Sequence, residues 1–214
     1  MKEKILYTKN SQILINKILL SNKITLGEIN MHTCTCKKDT NIVKMYGMEF
    51  DLSKPRDCRE YAAEILEGPW EEGSEGEATI LTSPQETYFY IAQVIRGPWE
   101  RGEEIIAQCP HHSLFYAEQV IKGPWERGEE AISNDPMRSL QYARDIIKGP
   151  WAKGEKAISK NVMDSINYAV NVLGARFLRG EDRIRKEYVD TFKHINRWEE
   201  YKRKLSQIGV EVED

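Results

Sequence analysis

The chain has 214 residues and a formal net charge of −3, which suits one domain or one array of repeats. It contains no run of eighteen apolar residues, and Asn16 and Lys17 interrupt the apolar segment Ile13–Leu20, which argues against a membrane span. The charged start Met1–Lys4 lacks the apolar core and cleavage site of a signal peptide. We therefore expect a cytoplasmic protein, an expectation that four cysteines without disulfide-like spacing support: Cys34, Cys36, Cys58 and Cys109.

The first segment, residues 1–52, permits two interpretations. It may be read as worn copies of the repeat described next, with Ile24 and then Phe50 at the position that tryptophan takes elsewhere. Alternatively it is a separate cap, in which Met31–Cys36 and Asn41–Tyr46 form a small hairpin. Both alternatives stay open at the level of sequence.

A repeat occupies residues 53–186 and has a period of 26 residues. Trp99, Trp125 and Trp151 are 26 residues apart, and each stands in a Gly-Pro-Trp triplet. Trp70 precedes Trp99 by 29 residues, because three residues are inserted near Gly73. A fixed period of this size is typical of stacked supersecondary units rather than of one ordinary core.

Each repeat is predicted to form two short helices. The first helix begins at a proline, which suits the first helical position because its missing N–H needs no partner there. It ends at a glycine such as Gly123, which we expect to provide the C-terminal turn. The second helix is predicted from Pro124 to Ile132. The prolines that start the first helices are Pro55, Pro84, Pro110 and Pro136.

Several side chains recur in every repeat, and we interpret them as structural. A tyrosine stands nine residues before the tryptophan, and Phe177 replaces the tryptophan in the fifth repeat. A glycine inside the second helix costs about 1 kcal/mol relative to alanine, so its recurrence predicts a close helix–helix approach there. The glutamate that follows this glycine is predicted to hydrogen-bond a buried tyrosine or tryptophan. The glutamates are Glu77, Glu103, Glu129, Glu155 and Glu181.

The predicted fold is all-α, an α-solenoid of short helix-turn-helix repeats with terminal caps. After the repeats, residues 187–214 are expected to form a capping helix and tail. An apolar stripe on one long, otherwise charged helix supports that cap. The stripe consists of Ile184, Tyr188, Phe192, Ile195 and Leu205.

The repeat sequence resembles a known class. The segments YAEQVIKGPWERGEEAIS (116–133) and YARDIIKGPWAKGEKAIS (142–159) are similar to tandem repeats of uncharacterised proteins from bacteriophages and large DNA viruses. The resemblance covers residues 53–186 and implies a helical repeat protein of phage or mobile-element origin. It implies no catalytic residues.

No constellation of catalytic, cofactor-binding or metal-ligating residues stands out. His32, Cys34 and Cys36 form H-x-C-x-C, but structural zinc prefers cysteines two to four residues apart with a second pair elsewhere. The segment Cys109–His112 offers further ligand types without such spacing. We expect no metal, no cofactor and no enzymatic activity.

Charge is divided unevenly along the chain. Residues 1–52 and 135–214 each carry a formal charge of +3, whereas residues 53–134 carry −9. An acidic central surface would attract a partner of opposite charge. The sequence therefore favours a non-enzymatic protein–protein interaction module whose partner is a host or viral protein, for example a host defence component that it inhibits.

Candidate partner-binding residues are those that vary between repeats on one face of the first helices. Phe89 and Phe115 are aromatic where other repeats are polar, so they either anchor a partner or pack on a neighbouring helix. The candidates are Glu60, Glu67, Phe89, Arg96, Phe115, Glu118, Lys122, Gln141, Arg144 and Lys148.

The alternative function is a nucleic-acid-associated module. Basic residues recur two positions after the tryptophan, and such a ladder could follow a phosphate backbone together with the basic C-terminal helix. Acidic neighbours such as Glu100 and Glu104 argue against this interpretation, since nucleic-acid binders usually present a net basic face. The ladder consists of Arg101, Arg127, Lys153 and Arg179.

Overall fold

A computed structural model describes residues 41–45, 47–186 and 196–213. The expected worn repeat around Ile24, the strand Met31–Cys36 and the H-x-C-x-C segment lie outside the described residues. The coarse expectation of an all-α chain is confirmed, because the described residues are mostly helical and form one two-stranded sheet.

The sheet is a β-hairpin that precedes the repeats. Strand β1 (Ile42–Met45) pairs antiparallel with β2 (Met48–Asp51), and Gly47 adopts a φ of +79° at the turn. Phe50 lies on β2 and is buried, with its ring 5.4 Å from that of Tyr61 in an edge-on arrangement. The interpretation of Phe50 as the tryptophan equivalent of a helical repeat is therefore wrong, because the Gly47 turn pairs this segment as strand. The alternative hairpin was right about extended backbone after Asn41, but the partner of β1 is β2.

Eleven α-helices follow within the described residues. They are α1 (Pro55–Tyr61), α2 (Glu75–Ile80), α3 (Pro84–Tyr90), α4 (Glu100–Ile106), α5 (Pro110–Phe115), α6 (Glu126–Ile132), α7 (Pro136–Gln141), α8 (Ala152–Ile158), α9 (Val162–Tyr168), α10 (Leu178–Lys186) and α11 (Arg197–Gln207). The odd-numbered helices from α1 to α9 are the first helices of the five repeats, and α2 to α10 are the second helices. Each first helix widens into a π-helical end, namely Ala62–Leu66, Ile91–Ile95, Tyr116–Ile121, Tyr142–Ile147 and Ala169–Leu173.

The helix starts follow the sequence signals in part. The Asp135 side chain accepts a hydrogen bond of 2.8 Å from the backbone N–H of Arg138, and Pro136 takes the first helical position of α7. The second helix of the third repeat begins at Glu126, two residues later than predicted, because Trp125 has an extended backbone with a φ of −130°. The tryptophan is thus the residue that caps the second helix.

The recurring glycine is required by the tryptophan of its own repeat. A Cβ added at Gly128 would overlap the Cε3 and Cζ3 atoms of Trp125 and would lie 3.0 Å from the Cβ of Ser113. In the fifth repeat, a Cβ at Gly180 would lie 2.6 Å from Cδ1 of Phe177, which confirms that Phe177 replaces the tryptophan. The predicted lack of space is therefore confirmed, but an indole ring in front of the first helix causes it rather than direct helix–helix contact.

Neighbouring repeats pack mainly through their first helices. Contacts join α1 to α3, α3 to α5, α5 to α7 and α7 to α9, and α4 to α6 and α8 to α10 among the second helices. The tyrosine and the second-helix isoleucine of each middle repeat are fully buried at these junctions. Those side chains are Tyr90, Tyr116, Tyr142, Tyr168, Ile106, Ile132 and Ile158.

The C-terminal segment differs from the predicted single long helix. Asn196 has an extended backbone and its side chain accepts hydrogen bonds from the N–H groups of Trp198 and Glu199, so a separate helix α11 begins at Arg197. Helix α11 packs against α10 and buries Trp198, Tyr201 and Leu205. Of the predicted stripe, Tyr188, Phe192 and Ile195 lie outside the described residues.

Helices long and apolar enough to cross a lipid bilayer are not found in the described part of the chain.

The tryptophan–glycine contact predicts a sign change in a double-mutant cycle. Trp125→Ala should cost about 3–5 kcal/mol of unfolding free energy, as for other large aromatic side chains in cores. Gly128→Ala should cost about 1–3 kcal/mol, since the added methyl group meets the indole. In the Trp125→Ala background the same change should instead stabilise by up to about 1 kcal/mol, because alanine is preferred to glycine in helices.

Urea unfolding followed by circular dichroism measures all four free energies. Gly123→Ala is the matched control, because nothing lies within 4 Å of a Cβ at that position, and it should be nearly neutral. An undiminished cost of Gly128→Ala without the indole would contradict the assignment.

Candidate functional site

The recurring tyrosine hydroxyl joins each repeat to the one before it. The Tyr142 hydroxyl accepts a hydrogen bond of 2.8 Å from the backbone N–H of Trp125 and donates one of 3.1 Å to Oε1 of Glu129. The Tyr168 hydroxyl makes the same two bonds, at 2.8 Å with Trp151 and 3.3 Å with Glu155. The predicted tyrosine–glutamate hydrogen bond is thus confirmed, and the glutamate ladder has a structural role.

The basic ladder is also used between repeats. Arg101 lies 2.7 Å from Glu77, Arg127 lies 3.2 Å from Glu103, and each pair joins a second helix to the one before it. Lys153 with Glu129 at 3.2 Å and Arg179 with Glu155 at 3.9 Å continue the series. These cations are therefore engaged by carboxylates of the preceding repeat and do not form a row of unpaired charges.

Two sets of structural residues were missed by the sequence reasoning. A small hydroxylated residue lies twelve positions before the tryptophan and donates a hydrogen bond to the carbonyl of the second-helix isoleucine; examples are Ser113 to Ile106 at 3.0 Å and Ser139 to Ile132 at 2.9 Å. The fixed spacing was a usable signal. Tyr201 is the other case, because its hydroxyl accepts from the Phe177 N–H at 2.9 Å, as the repeat tyrosines do. It stands outside the 26-residue register, so counting could not find it.

Four of the candidate residues end the first helices in a left-handed conformation. The φ angles are 48° at Glu67, 57° at Arg96, 59° at Lys122 and 57° at Lys148, and Gly174 takes this position in the fifth repeat. The predicted turn at the glycine of the Gly-Pro-Trp triplet is therefore wrong by one residue. The extra residue of the π-helical end brings the preceding position, rather than that glycine, into the left-handed turn.

These left-handed residues carry exposed side chains. Arg96 donates from Nε to the carbonyl of Gln93 at 3.0 Å. Within the described residues, no ion pair is formed by Arg96, Lys122 or Lys148. They differ in this respect from the cations of the basic ladder.

Several other candidates have local partners. Glu60 pairs with Arg56 at 2.8 Å, and Arg144 lies 2.7 Å from Asp145 on an exposed surface. Gln141 is half-buried and accepts a hydrogen bond of 2.7 Å from Arg138. Glu118 is exposed on the π-helical end of the third repeat.

Phe89 and Phe115 belong to an aromatic cluster on α3 and α5. The Tyr88 ring lies 5.6 Å from that of Phe89 and 6.2 Å from that of Phe115, and His111 meets Phe115 edge-on at 4.5 Å. Both phenylalanines therefore pack on neighbouring side chains. Phe89 still keeps 37% of its surface exposed, with Arg59 5.9 Å above its ring.

A groove of about 660 Å³ lies between the first helices of the second and third repeats. It brings together three candidates, namely Arg96, Phe115 and Lys122. The side chains used in the following arguments are those of Tyr88, Ala92, Arg96, Phe115, Gln119 and Lys122. Candidates that do not line this groove are Glu60, Glu67, Phe89, Glu118, Gln141, Arg144 and Lys148.

The exposed carboxylates of the acidic block lie mostly away from the first helices. On the first helices and their ends, Glu64, Glu67 and Glu118 are exposed. The larger group stands on the second helices and the segments before them, and consists of Glu71, Glu72, Glu75, Glu100, Glu104, Glu126 and Glu130. The acidic surface and the variable face of the first helices are therefore only partly the same surface.

The histidines and cysteines near α5 form a small polar cluster. Nδ1 of His112 lies 3.1 Å from Sγ of Cys109. Burial, and then the charge of His111, lower the pKa of His112 below its ordinary value. The part of the chain that the structure describes contains no group of three or more histidine, cysteine, aspartate or glutamate side chains placed to hold a metal ion.

Comparison of the chain with protein-family models, with curated proteins and with solved structures gave no match.

The buried tyrosines predict steep alkaline unfolding. Burial raises the pKa of Tyr90, Tyr142 and Tyr201 to about 12, from an ordinary value of 10.0. Above about pH 10 the unfolded chain loses these protons first, so the stability that is complete below pH 10 should fall as the pH rises through 12. Phenolate absorbance and the helical circular dichroism signal should change together over this range. Phenolate forming near pH 10 with helices intact would contradict the hydrogen-bonded burial of these hydroxyls.

The left-handed turns predict opposite effects for two glycine exchanges. Lys148→Gly should stabilise by up to about 1 kcal/mol, because relief of about 1–2 kcal/mol of left-handed strain exceeds the entropy cost of glycine. Gly174→Ala should destabilise by about 1 kcal/mol for the converse reason. Lys156→Gly, an exposed position inside the right-handed helix α8, is the control and should lower stability by about 1 kcal/mol. Urea unfolding curves decide, and a destabilising Lys148→Gly would refute the strain.

Proposed function

We propose that this protein is a non-enzymatic α-solenoid, with five helical repeats of period 26, that binds a protein partner through variable positions on its first helices. One observation carries the proposal. The side chains that recur in every repeat are used inside and between the repeats, whereas those that vary at fixed positions are largely exposed.

The recurring residues have defined internal partners. Trp125 covers Gly128, the Tyr142 hydroxyl bonds Trp125 and Glu129, and Lys153 pairs with Glu129. These contacts explain why every repeat needs the same residues, because each unit must bury its surface against its neighbours. Recurrence therefore requires no ligand to account for it.

The variable residues supply the surface of the proposed interaction. Phe89, Arg96 and Lys122 are exposed, and Phe115 lies beside them in the groove between the second and third repeats. Aromatic and arginine side chains are the residues most often responsible for affinity in protein interfaces. A surface that combines both types is better suited to a protein partner than to solvent alone.

The resemblance to viral repeats indicates the class of partner. On that basis the partner is a host or viral protein in the cytoplasm, and the use of the complex is inhibition of a host factor such as a defence component. Unlike the binding face, this part of the proposal rests on the resemblance alone.

The rival proposal is a nucleic-acid-associated module, and the ion pairs weaken it. The ladder from Arg101 to Arg179 is engaged by glutamates, and on α11 Arg197 and Lys204 pair with Glu200 at 2.7 and 3.1 Å. What supports it is the row Arg96, Lys122 and Lys148, which has no acidic partner among the described residues.

Quantitative affinity capture tests the proposed function. Immobilised wild-type protein should retain a specific protein from lysate of the native host, identified by mass spectrometry. A variant with Phe89→Ala, Arg96→Gly and Lys122→Gly should retain about tenfold less, since losing one well-placed anchor already costs about 1.4 kcal/mol or more. Glu104→Lys with Glu130→Lys, on the second helices, is the control of matched exposure and should retain the partner.

Three results would contradict the proposed face or function. A partner retained by the first-helix variant but lost with Glu104→Lys and Glu130→Lys would move the binding face to the second helices. Binding to an oligonucleotide that falls steeply with salt, and that is lost with Arg96→Gly, Lys122→Gly and Lys148→Gly, would establish the nucleic-acid alternative instead. Retention of no protein at all would reject a protein-binding role.

A further inference from the structure

The groove between the second and third repeats has no equivalent one repeat later. Three of its lining residues are Ala92, Phe115 and Gln119. A shift of 26 residues replaces them by a carboxylate, an amide and a second carboxylate, at Glu118, Gln141 and Asp145. The backbone of the repeats is similar, so this change of side chains makes an apolar, uncharged groove at one junction and a polar, acidic surface at the next.

Apolar side chains form the floor of this groove. Tyr88 and Phe115 contribute rings, and Ile91, Ala92 and Val120 contribute aliphatic surface. Ile91 is fully buried and Tyr88 is half-buried, so the floor is firmly packed. The volume of about 660 Å³ lies in the range of pockets that hold small ligands or a few side chains, about 300–1,000 Å³.

Two cations line the groove beside that floor. Arg96 and Lys122 stand at its edge, and both are exposed and without an acidic partner among the described residues. Five residues further along each repeat, Arg101 and Arg127 are held by glutamates at 2.7 and 3.2 Å. The protein therefore neutralises its ladder cations internally and leaves the two groove cations without a counter-ion.

The backbone at these two cations is held in an uncommon conformation. Arg96 and Lys122 have φ angles of 57° and 59°, and left-handed backbone costs a non-glycine residue about 1–2 kcal/mol. Gly174 shows that the position accepts glycine, so nothing in the turn itself requires a long cationic side chain. A basic residue held there despite the strain indicates a use for the charge.

We propose that the groove binds a short acidic segment of a protein partner. An aromatic or branched aliphatic side chain of the segment packs on Tyr88 and Phe115, and carboxylates on either side of it bond Arg96 and Lys122. Charge-assisted hydrogen bonds of this kind are among the stronger ones that proteins form. The inference rests on the proposed function, because it identifies the chemistry that the same face recognises.

The surrounding charge favours a short acidic segment over a nucleic acid. Residues 53–134 carry a formal charge of −9, and Glu100, Glu104, Glu126 and Glu130 are exposed on the second helices next to the groove repeats. A long polyanion would be repelled by this field, whereas two or three carboxylates bound at the cations remain close to their counter-ions. The aliphatic floor also suits a buried side chain better than a stacked base.

Glu118 borders the groove and provides a test of opposite sign. Its charge contributes, after burial, to raising the pKa of Tyr88 above the ordinary value, which shows that the carboxylate lies near the Tyr88 ring. It therefore repels a carboxylate bound beside that ring. Glu118→Gln should tighten the binding of an acidic segment, although most substitutions in a binding site weaken it.

Peptide selection tests the inference directly. A phage-displayed library of random peptides about twelve residues long is selected on the wild-type protein and depleted on the Arg96→Gly, Lys122→Gly double variant. The enriched peptides should share an aromatic or branched aliphatic residue next to aspartate or glutamate. Glycine is chosen because it removes both side chains without disturbing a left-handed turn.

A synthetic peptide from the enriched pool is then titrated by fluorescence anisotropy. The double variant and Phe115→Leu should each raise its Kd by about tenfold or more, and Glu118→Gln should lower it a few-fold, about twofold to fivefold. Lys148→Gly is the matched control, because Lys148 has the same left-handed turn and exposure but lies outside the groove; the Kd should stay within about twofold. Unfolding curves of every variant establish that the fold is kept.

Four outcomes would overturn the inference. They are no enriched motif, an enriched motif that is basic, a peptide that binds the double variant as tightly as the wild type, and an oligothymidylate that competes for the groove with higher affinity. A failed groove is distinguishable from a failed function. A captured protein that is lost with Phe89→Ala but ignores Arg96→Gly and Lys122→Gly would leave the proposed function standing without this site.

Discussion

The fold depends on one shared hydroxyl group at each junction between repeats. The first-helix tyrosine accepts a hydrogen bond from the backbone N–H of the preceding tryptophan and donates its proton to the preceding glutamate, as Tyr142 does with Trp125 and Glu129. The N–H belongs to the first turn of a second helix, where the helix itself offers no acceptor. Because the tyrosine is buried, losing the hydroxyl would leave both partners without a bond that water could replace.

The tryptophan links this junction to the interior of its own repeat. Its extended backbone starts the second helix and places the indole against a glycine three residues later, where a methyl group would overlap the ring. The same glutamate that receives the tyrosine proton receives a cation from the following repeat, as Glu103 does from Tyr116 and Arg127. One junction thus uses a tyrosine, a tryptophan, a glycine, a glutamate and a base together, which explains why they recur as a set.

This arrangement separates the residues that build the repeat from those that can serve an interaction. The ladder cations are held by carboxylates, whereas Arg96 and Lys122 are not, although all of them recur with the same period. Periodicity alone therefore does not identify a binding residue. The informative residues are those that depart from the period, such as Ala92 and Phe115, because their departure changes a polar junction into an apolar groove.

What the sequence determined by itself was the set of local and periodic features. Proline and capping residues predicted the starts of the first helices, and the recurring tyrosine and glutamate predicted a hydrogen bond, because spacing fixes which positions lie at every junction. The repeat register also identified Phe177 as the substitute for tryptophan.

Other features were decided only by the tertiary structure, because they depend on contacts that spacing does not encode. The left-handed turn fell on Lys122 rather than Gly123, since the π-helical end adds a residue to the turn. Tyr201 reached the junction from outside the register. Phe50 paired as strand because its neighbour Gly47 turns the chain back. Which cations are neutralised and which remain available followed from distances between repeats, and a single sequence carries no measure of those distances.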